Sequence, residues 1–207
     1  MNRFVGRVFG RIFGLVLIVI GVVALFWQPT FHAGPSENVP RYTNDNKLIM
    51  PANYRDWNYL SSGLGMTYSK SGPDNNPMFT NVFAAPEAYH AFLKTGQWPD
   101  KTVLVMEIYT SGTEGSINQG GHYQLATMGG IEAHVKDSSR PGDLWKFYGF
   151  DDDGKPADAR GNGNVCTQCH TRNGGVEDTF VQFYPTLLPV ARAKGTLRPG
   201  TDVAAKK

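Results

Sequence analysis

Two cysteines and a histidine near the C-terminal end constrain this chain more than any other feature of its 207 residues. Cys166 and Cys169 are its only cysteines, and His170 follows the second one directly, which gives the spacing C-x-x-C-H. This spacing is typical of c-type haem attachment, because two thiols three positions apart can form thioethers with the vinyl groups on one porphyrin edge. The adjacent imidazole can then bind the iron. The motif therefore predicts one covalent haem c, with His170 as the proximal iron ligand.

The same cysteines admit three other interpretations: a disulfide, a thioredoxin-like redox pair, or part of a zinc site. A structural zinc site needs four ligands, and the chain has no third cysteine. A thioredoxin-like pair opens a helix after a buried strand, whereas the glycines and asparagines of residues 161–164 predict a loop before the motif. These patterns favour haem attachment.

The glycine and proline content predicts a fold built mainly from strands and turns. The chain contains 24 glycines and 13 prolines, which favour turns over long helices. A hydrophobic content of 41% is sufficient for a core, and the length suits one domain with a short additional segment. The formal net charge of +2 and the lack of a basic stripe predict no nucleic-acid partner.

An apolar segment at the N-terminus predicts a membrane anchor. Residues 1–11 contain three arginines and no acid, and residues 12–27 contain no charged side chain. This run is shorter than the roughly 20 residues of a full span and slightly longer than a signal-peptide core. We expect an uncleaved transmembrane helix over residues 1–28, with a single pass through a bacterial inner membrane and the remainder in the periplasm. A cleaved signal peptide is the alternative.

The rest of the chain is predicted to form a linker at residues 29–51, which are polar and contain prolines, and one domain at residues 52–207. Periodicity and turn residues predict strands at 78–83, 102–109, 121–126, 131–136, 144–150 and 179–184. They predict helices at 51–60, 86–95 and 185–194, and a loop at 61–77. In residues 131–136, the polar side chains Glu132, His134 and Lys136 alternate with apolar ones, which predicts a solvent-facing side.

Several motifs in this order resemble the cytochrome P460 family over about residues 54–194. They are Tyr54-Arg55-Asp56-Trp57, Asn81-Val82-Phe83, Pro86-Glu87-Ala88-Tyr89, Gly96-Gln97-Trp98-Pro99-Asp100-Lys101-Thr102, the C-x-x-C-H motif and Phe180-Val181-Gln182-Phe183-Tyr184-Pro185. The resemblance implies an α+β domain, with a mainly antiparallel β sheet and a few short helices, after the N-terminal transmembrane helix. It also implies a haem packed against the sheet, His170 as proximal ligand of a five-coordinate or weakly capped iron, and frequently a homodimer.

One position departs from the enzymatic members of this family, which oxidise hydroxylamine with the help of a lysine cross-linked to the porphyrin. Alignment through Trp98 and Pro99 places that lysine near Met106. Residues 102–110 contain no lysine, and Lys101 lies about 16 Å from Met106 along an extended strand. We therefore expect no cross-link.

Glu107 is the candidate catalytic residue beside this position, because an acid there could deliver protons to a bound ligand. Strand alternation directs Glu107 to the face opposite Met106, which favours a paired structural acid instead.

Three functions are compatible with the sequence. The first is a membrane-anchored monohaem cytochrome that transfers electrons to a redox partner or binds a small diatomic ligand such as nitric oxide. The second is a haem enzyme that oxidises hydroxylamine or reduces peroxide, and the third is an accessory haem subunit of a membrane redox complex. A firm sixth iron ligand favours electron transfer, whereas an open position favours ligand binding or catalysis. The available sixth ligands are Met66, Met78, Met106, Met128 and His122.

Overall fold

An antiparallel sheet of five strands forms the frame of the domain. The computed structural model describes residues 38–66, 76–151 and 154–203. The strands are β1 (Asn58–Leu64), β2 (Phe79–Ala84), β3 (Val103–Gly112), β4 (Tyr123–Lys136) and β5 (Trp145–Phe150). They lie in the sheet in the order of the chain, and each neighbouring pair is antiparallel. The predicted α+β class with an antiparallel sheet is confirmed, and β2, β3 and β5 match their predicted positions to within a few residues.

Three short α-helices accompany the sheet in the described residues: α1 (Pro86–Thr95), α2 (Val165–Asn173) and α3 (Leu188–Lys194). Helix α1 has its predicted bounds, because Pro86 suits the first turn and Gly96 adopts the left-handed conformation that ends a helix, with φ 74°. A Cβ atom at Gly96 would lie 2.7 Å from Cβ of Lys194, so α1 and the end of α3 approach closely here. Helix α3 occupies the second part of the helix predicted at 185–194.

The two sides of the sheet carry different residues. The valine face carries Val103, Val105, Ala133 and Val135, which are register partners on β3 and β4 and are almost completely buried. The histidine face carries the residues that alternate with them, which include Leu104, Met106, His134 and Phe147.

Residues 38–50, which belong to the segment predicted as a linker, pack against this domain. Leu48 is completely buried and forms a β-bridge with Ala157. The hydroxyl of Tyr42 donates a hydrogen bond of 2.9 Å to the carboxylate of Asp137. The predicted membrane anchor lies outside the described residues, and no helix within them is long and apolar enough to cross a membrane.

The predicted helix at residues 51–60 is wrong. Tyr54–Asp56 forms one turn of 3-10 helix, and the chain then enters β1, which pairs with β2 and continues to Leu64. The three side chains expected on the buried side of that helix are nevertheless buried: Tyr54, Trp57 and Leu60. A turn followed by a strand directs them inward, as the predicted helix would. Pairing with β2 therefore outweighs the local helical pattern, and β1 occupies residues 61–64, which were predicted to begin a loop.

Residues 121–126 and 131–136 were predicted as two strands, but they belong to the single strand β4. The register shifts between them: Ile108 pairs with Gly130, and Tyr109 pairs with Met128, so that Gly129 forms a bulge. Gly130 has a φ of 150°, which glycine adopts at little cost. The two glycines therefore allow the strand to continue.

The strand predicted at residues 179–184 is also wrong. Thr179 forms an isolated bridge with Val176, and Val181–Phe183 is a turn of 3-10 helix. The outer edge of β5 is partly covered by a bridge between Tyr148 and Ala159, so a sixth strand does not add there. The turns bury Val181 and Tyr184 instead, whereas Phe183 is 40% exposed.

Candidate haem site

Helix α2 carries all three residues of the C-x-x-C-H motif. It begins after Asn164, whose side-chain oxygen accepts hydrogen bonds from the backbone N–H groups of Cys166 (2.8 Å) and Thr167 (3.1 Å). This N-cap fixes the first turn of the helix. Cys166 and Cys169 are three positions apart, so their thiols lie on the same side of the helix. Both thiols are free and partly buried.

His170 lies on the side of α2 that packs against the sheet. Its ring contacts those of His134, Phe147 and Phe180, with centroid separations of 4.9, 4.6 and 4.2 Å. His134 and Phe147 are register partners on β4 and β5, so α2 covers the histidine face. Burial lowers the pKa of His170, which favours the neutral imidazole that binds metals.

The two ring nitrogens of His170 have different environments. Nδ1 lies 2.8 Å from the backbone carbonyl oxygen of Asp178. Because a carbonyl oxygen can only accept, Nδ1 carries the proton, and the lone pair of Nε2 is left for a ligand bond. Metal-binding histidines commonly use such a hydrogen bond to fix their tautomer and ring orientation. Two free thiols on one side of a helix and an oriented imidazole beside them fit a covalently attached haem.

A tight turn at residues 176–179 presents the carbonyl group that accepts this hydrogen bond. The hydroxyl of Thr179 donates to the carbonyl oxygen of Val176 (2.7 Å) and accepts from Nε1 of Trp98 (2.9 Å). Gly174 allows this turn to lie against the end of α2, because a Cβ atom there would be only 2.5 Å from the carbonyl oxygen of Glu177. Contacts within the turn, with Trp98 and with the end of α2 therefore fix the position of the Asp178 carbonyl group.

The predicted solvent exposure of His134 is wrong, because α2 covers its side of the strand. His134 is 8% exposed and stacks on Phe147 with a ring separation of 4.0 Å. Burial, and then the proximity of His170, lowers the pKa of His134 well below its usual range, so the ring is neutral. Its Nε2 atom has no hydrogen-bond partner among the described residues. A buried unpaired polar atom beside the motif histidine fits a site that receives a further group.

A known protein family matches the part of the chain that contains this site. The family model for cytochrome P460 matches residues 51–181. The chain belongs to the cytochrome P460 family. A search of curated proteins found no significant match. Membership of the P460 family implies haem binding, and the residues on α2 are compatible with such a group.

Met106, near which the sequence comparison predicts the cross-linking lysine of the enzymatic P460 proteins, lies on the histidine face. Its register partners are Val82 on β2 and Glu132 on β4. Lys101, at the entrance to β3, donates to the carboxylate of Asp137 and forms an ion pair with it. The ammonium group of Lys101 is therefore engaged at the start of the strand.

The structure separates the five candidate sixth ligands. Met106 lies on the histidine face, whereas Met128 contributes to a pocket on the valine face, where Ile131 and Phe150 also lie. Met66 and Met78 are 59% and 45% exposed, just beyond the paired ends of β1 and β2. His122 is exposed and lies 3.4 Å from the hydroxyl of Ser111. Of the five, Met106 is the candidate that shares a sheet face with the rings around His170.

Glu107 lies on the valine face, on the opposite side of the sheet from His170. Its carboxylate accepts hydrogen bonds from the Tyr54 hydroxyl (2.6 Å) and from Nε of Arg55 (2.7 Å), and the residue is 4% exposed. This is the environment of a paired structural acid. The acid on the side of Met106 is instead Glu132, which forms an ion pair of 3.2 Å with Arg160.

Sequence reasoning missed three groups that shape the site: the side chains of Asn164 and His134 and the carbonyl group of Asp178. Asn164 could have been found, because an asparagine directly before a helical segment is a common N-cap. The acceptor at Asp178 has no signal in the sequence, because every residue carries a backbone carbonyl group.

Proposed function

We propose that this member of the cytochrome P460 family is a monohaem c-type cytochrome. Cys166 and Cys169 hold the haem covalently, and His170 is the proximal ligand. The proposal depends most on the orientation of His170, in which Nδ1 donates to the Asp178 carbonyl and Nε2 is left for a metal. When bound, the haem supplies an iron that changes oxidation state and has a further coordination position. Helix α2 and the histidine face anchor and orient it.

Electron transfer, or the binding of a small neutral ligand such as nitric oxide, is the role that the histidine face supports best. Val82 and Met106, which are partly buried, and Leu104, which is buried, make this part of the face apolar. Within the described part of the chain, a charged ligand would lose its hydration there without a free partner of opposite charge, since Glu132 pairs with Arg160 and Lys136 pairs with Glu177. Met106 bears on the choice between the two roles, because a thioether ligand favours electron transfer and an open position favours ligand binding.

Efficient hydroxylamine oxidation is not the expected activity. The enzymatic P460 proteins carry the cross-linking lysine, whereas this chain has no lysine in residues 102–110, near which it is expected, and its Lys101 is paired with Asp137. Peptide mass spectrometry should therefore find no lysine bound to haem, and hydroxylamine turnover with an artificial electron acceptor should be slow. A haem-linked Lys101 peptide or rapid turnover would contradict this part of the proposal.

The central experiment removes the thiols. Cys166→Ala combined with Cys169→Ala should abolish haem staining on a denaturing gel, because no thioether can form. His170→Ala should leave the haem attached but change the optical spectrum through loss of the proximal ligand. Haem staining that survives the double substitution would overturn covalent attachment at this site.

Optical spectra with and without nitric oxide then separate the two roles. If Met106 is the sixth ligand, Met106→Leu should change the spectrum of the reduced protein and ease nitric oxide binding. Met128→Leu is the matched control, because Met128 lies by the valine-face pocket and its loss should leave both unchanged. A spectrum that is unaffected by Met106→Leu, together with rapid nitric oxide binding by the unaltered protein, would favour ligand binding.

Residues 1–28 are proposed to anchor the protein in a bacterial inner membrane, with the haem domain in the periplasm. The support is the apolar run at residues 12–27, which follows a segment that contains three arginines and no acid. Mass spectrometry of the mature protein tests this, since a chain that begins between about residue 29 and residue 34 would indicate a cleaved signal peptide. A redox partner or membrane complex is tested by co-purification, and a homodimer by the mass in solution.

A further inference from the structure

Glu177 has an unfavourable backbone conformation beside the residue that contacts the motif histidine. Its φ is 50°, in the left-handed region that residues with a Cβ atom seldom occupy. Such a conformation persists where surrounding contacts hold the residue in place, and it is often associated with function. Glu177 directly precedes Asp178, whose carbonyl oxygen accepts the hydrogen bond from Nδ1 of His170.

Two residues of the sheet hold the carboxylate of Glu177. Nζ of Lys136 donates to Oε1 at 2.9 Å, and Nε1 of Trp145 donates to Oε2 at 2.9 Å. Lys136 and Trp145 are register partners on β4 and β5, and Trp145 is 1% exposed. Because each carboxylate oxygen has its own donor, both the position and the rotation of the carboxylate are fixed.

The same two strands hold the ring of His170. His134 lies two residues before Lys136 on β4, and Phe147 lies two residues after Trp145 on β5. Both of these rings contact the imidazole of His170. The sheet therefore positions the hydrogen-bond donor through ring contacts and the acceptor through the carboxylate of Glu177.

We propose that Glu177 is a positioning residue for the proximal ligand. Its carboxylate, held by Lys136 and Trp145, keeps the carbonyl oxygen of Asp178 within hydrogen-bonding distance of Nδ1 of His170. A strong hydrogen bond at Nδ1 makes Nε2 a better electron donor to a metal. Glu177 thereby tunes the iron through the backbone of the turn. This inference rests on the proposed ligation of haem iron by His170.

The test measures the iron–histidine stretching vibration by resonance Raman spectroscopy, in the full-length haem-loaded protein. The reduced protein is loaded with carbon monoxide, which is then removed by a light pulse, so that His170 is the one remaining axial ligand. Glu177→Ala removes both sheet contacts and should shift this band to lower wavenumber, because the Nδ1 hydrogen bond weakens. The midpoint potential should rise in the same variant, because a weaker donor favours the reduced iron.

Two further variants separate positioning from a general loss of structure or charge. Glu177→Gln retains an acceptor oxygen for Trp145 and should give a smaller shift than Glu177→Ala. Trp145→Phe removes the N–H donor but keeps an aromatic ring, and it should shift the band in the same direction. Because Trp145 and Glu177 act through one contact, the shift of the double variant Trp145→Phe with Glu177→Ala should not exceed that of Glu177→Ala alone.

Glu87→Ala is the matched control. Glu87 lies on α1, and its carboxylate accepts hydrogen bonds from the side chain of Asn38. Its removal deletes a hydrogen-bonded glutamate elsewhere on the domain and should leave the iron–histidine band in place. A shift as large as that of Glu177→Ala would show a non-specific effect of losing a carboxylate and would overturn the inference.

The remaining outcomes distinguish a failure of the role of Glu177 from a failure of ligation by His170. An unchanged band in Glu177→Ala and in Trp145→Phe, with haem still attached, would refute the role of Glu177 and leave ligation by His170 intact. Additive shifts in the double variant would also refute it. If the unaltered protein has no iron–histidine band at all, the proposed ligation fails, and the inference about Glu177 fails with it.

Discussion

Asp137 should contribute a pH-dependent part of the stability that a single substitution can isolate. Its side chain is 1% exposed and accepts hydrogen bonds from Lys101, from the Tyr42 hydroxyl (2.9 Å) and from the Ser139 hydroxyl (2.6 Å). Burial alone would raise the pKa of Asp137, but these donors outweigh it and lower the pKa from 3.8 to about 2. The carboxylate thus connects the segment before β1, the start of β3 and the end of β4.

The size of the contribution follows from the lowered pKa. Because the unfolded chain binds a proton more readily at acidic pH, ionised Asp137 stabilises the folded state above the unfolded pKa, and this stabilisation is lost as the pH falls. At about 1.4 kcal/mol for each pH unit between the two pKa values, Asp137 contributes about 2.5 kcal/mol. The contribution should be complete above about pH 5, fall to roughly half near pH 3 and become small near pH 2.

Urea unfolding of the wild-type protein and of Asp137→Asn, followed by circular dichroism between pH 3 and pH 7, measures this contribution. The amide imitates the protonated acid, so the two free energies of unfolding should differ by about 2.5 kcal/mol at pH 7 and by about half as much at pH 3. Asp158→Asn is the control, because the Asp158 side chain is 79% exposed, and its replacement should cost less than about 0.5 kcal/mol. A difference for Asp137→Asn that does not change with pH would refute the reasoning, since it would point to altered packing rather than lost ionisation.

Two other substitutions have defined expectations. Asn164→Ala removes the side chain that accepts hydrogen bonds from the N–H groups of Cys166 and Thr167 at the start of α2. The free energy of unfolding, measured in urea, should fall by about 1 kcal/mol, and an unchanged value would contradict the capping role. Glu107→Gln should leave the haem spectrum and nitric oxide binding unchanged. It should lower the free energy of unfolding by about 1–3 kcal/mol, because the Tyr54 hydroxyl keeps only an imperfect hydrogen-bond partner. A spectral change without loss of stability would instead support a role for Glu107 at the iron.

The fold could be predicted where a local residue pattern determines the backbone. Helix α1 has its predicted bounds because Pro86 and Gly96 define its ends. Strand β1 was missed because it depends on pairing with β2, and the preceding tyrosine and tryptophan spacing imitates a helix. Whether such a segment becomes helix or strand depends on a distant partner that local propensity does not contain.

The C-x-x-C-H motif predicts the chemistry of the site, but the sequence contains only part of the information about its surroundings. Alternation correctly assigned Glu132 and His134 to one side of β4 and Glu107 to the side opposite Met106. It could not indicate that α2, thirty residues further on, covers His134, because coverage is decided by tertiary packing. The hydrogen bond from His170 to Asp178 was hidden for another reason, since the acceptor is a backbone atom that no side chain identifies.

The order of the strands also has a consequence for how the protein assembles. Because β1 to β5 lie in the sheet in chain order, each strand pairs with the one made just before it, and the loops to be closed are short. The sheet can therefore form quickly, and its last strand ends at Phe150, before the C-x-x-C-H motif in the chain. The motif helix then docks on a surface that already carries His134 and Phe147. Cys166 and Cys169 lie on a helix that follows every strand of the sheet in the chain, so the strands can pair before the proposed attachment of haem to these thiols.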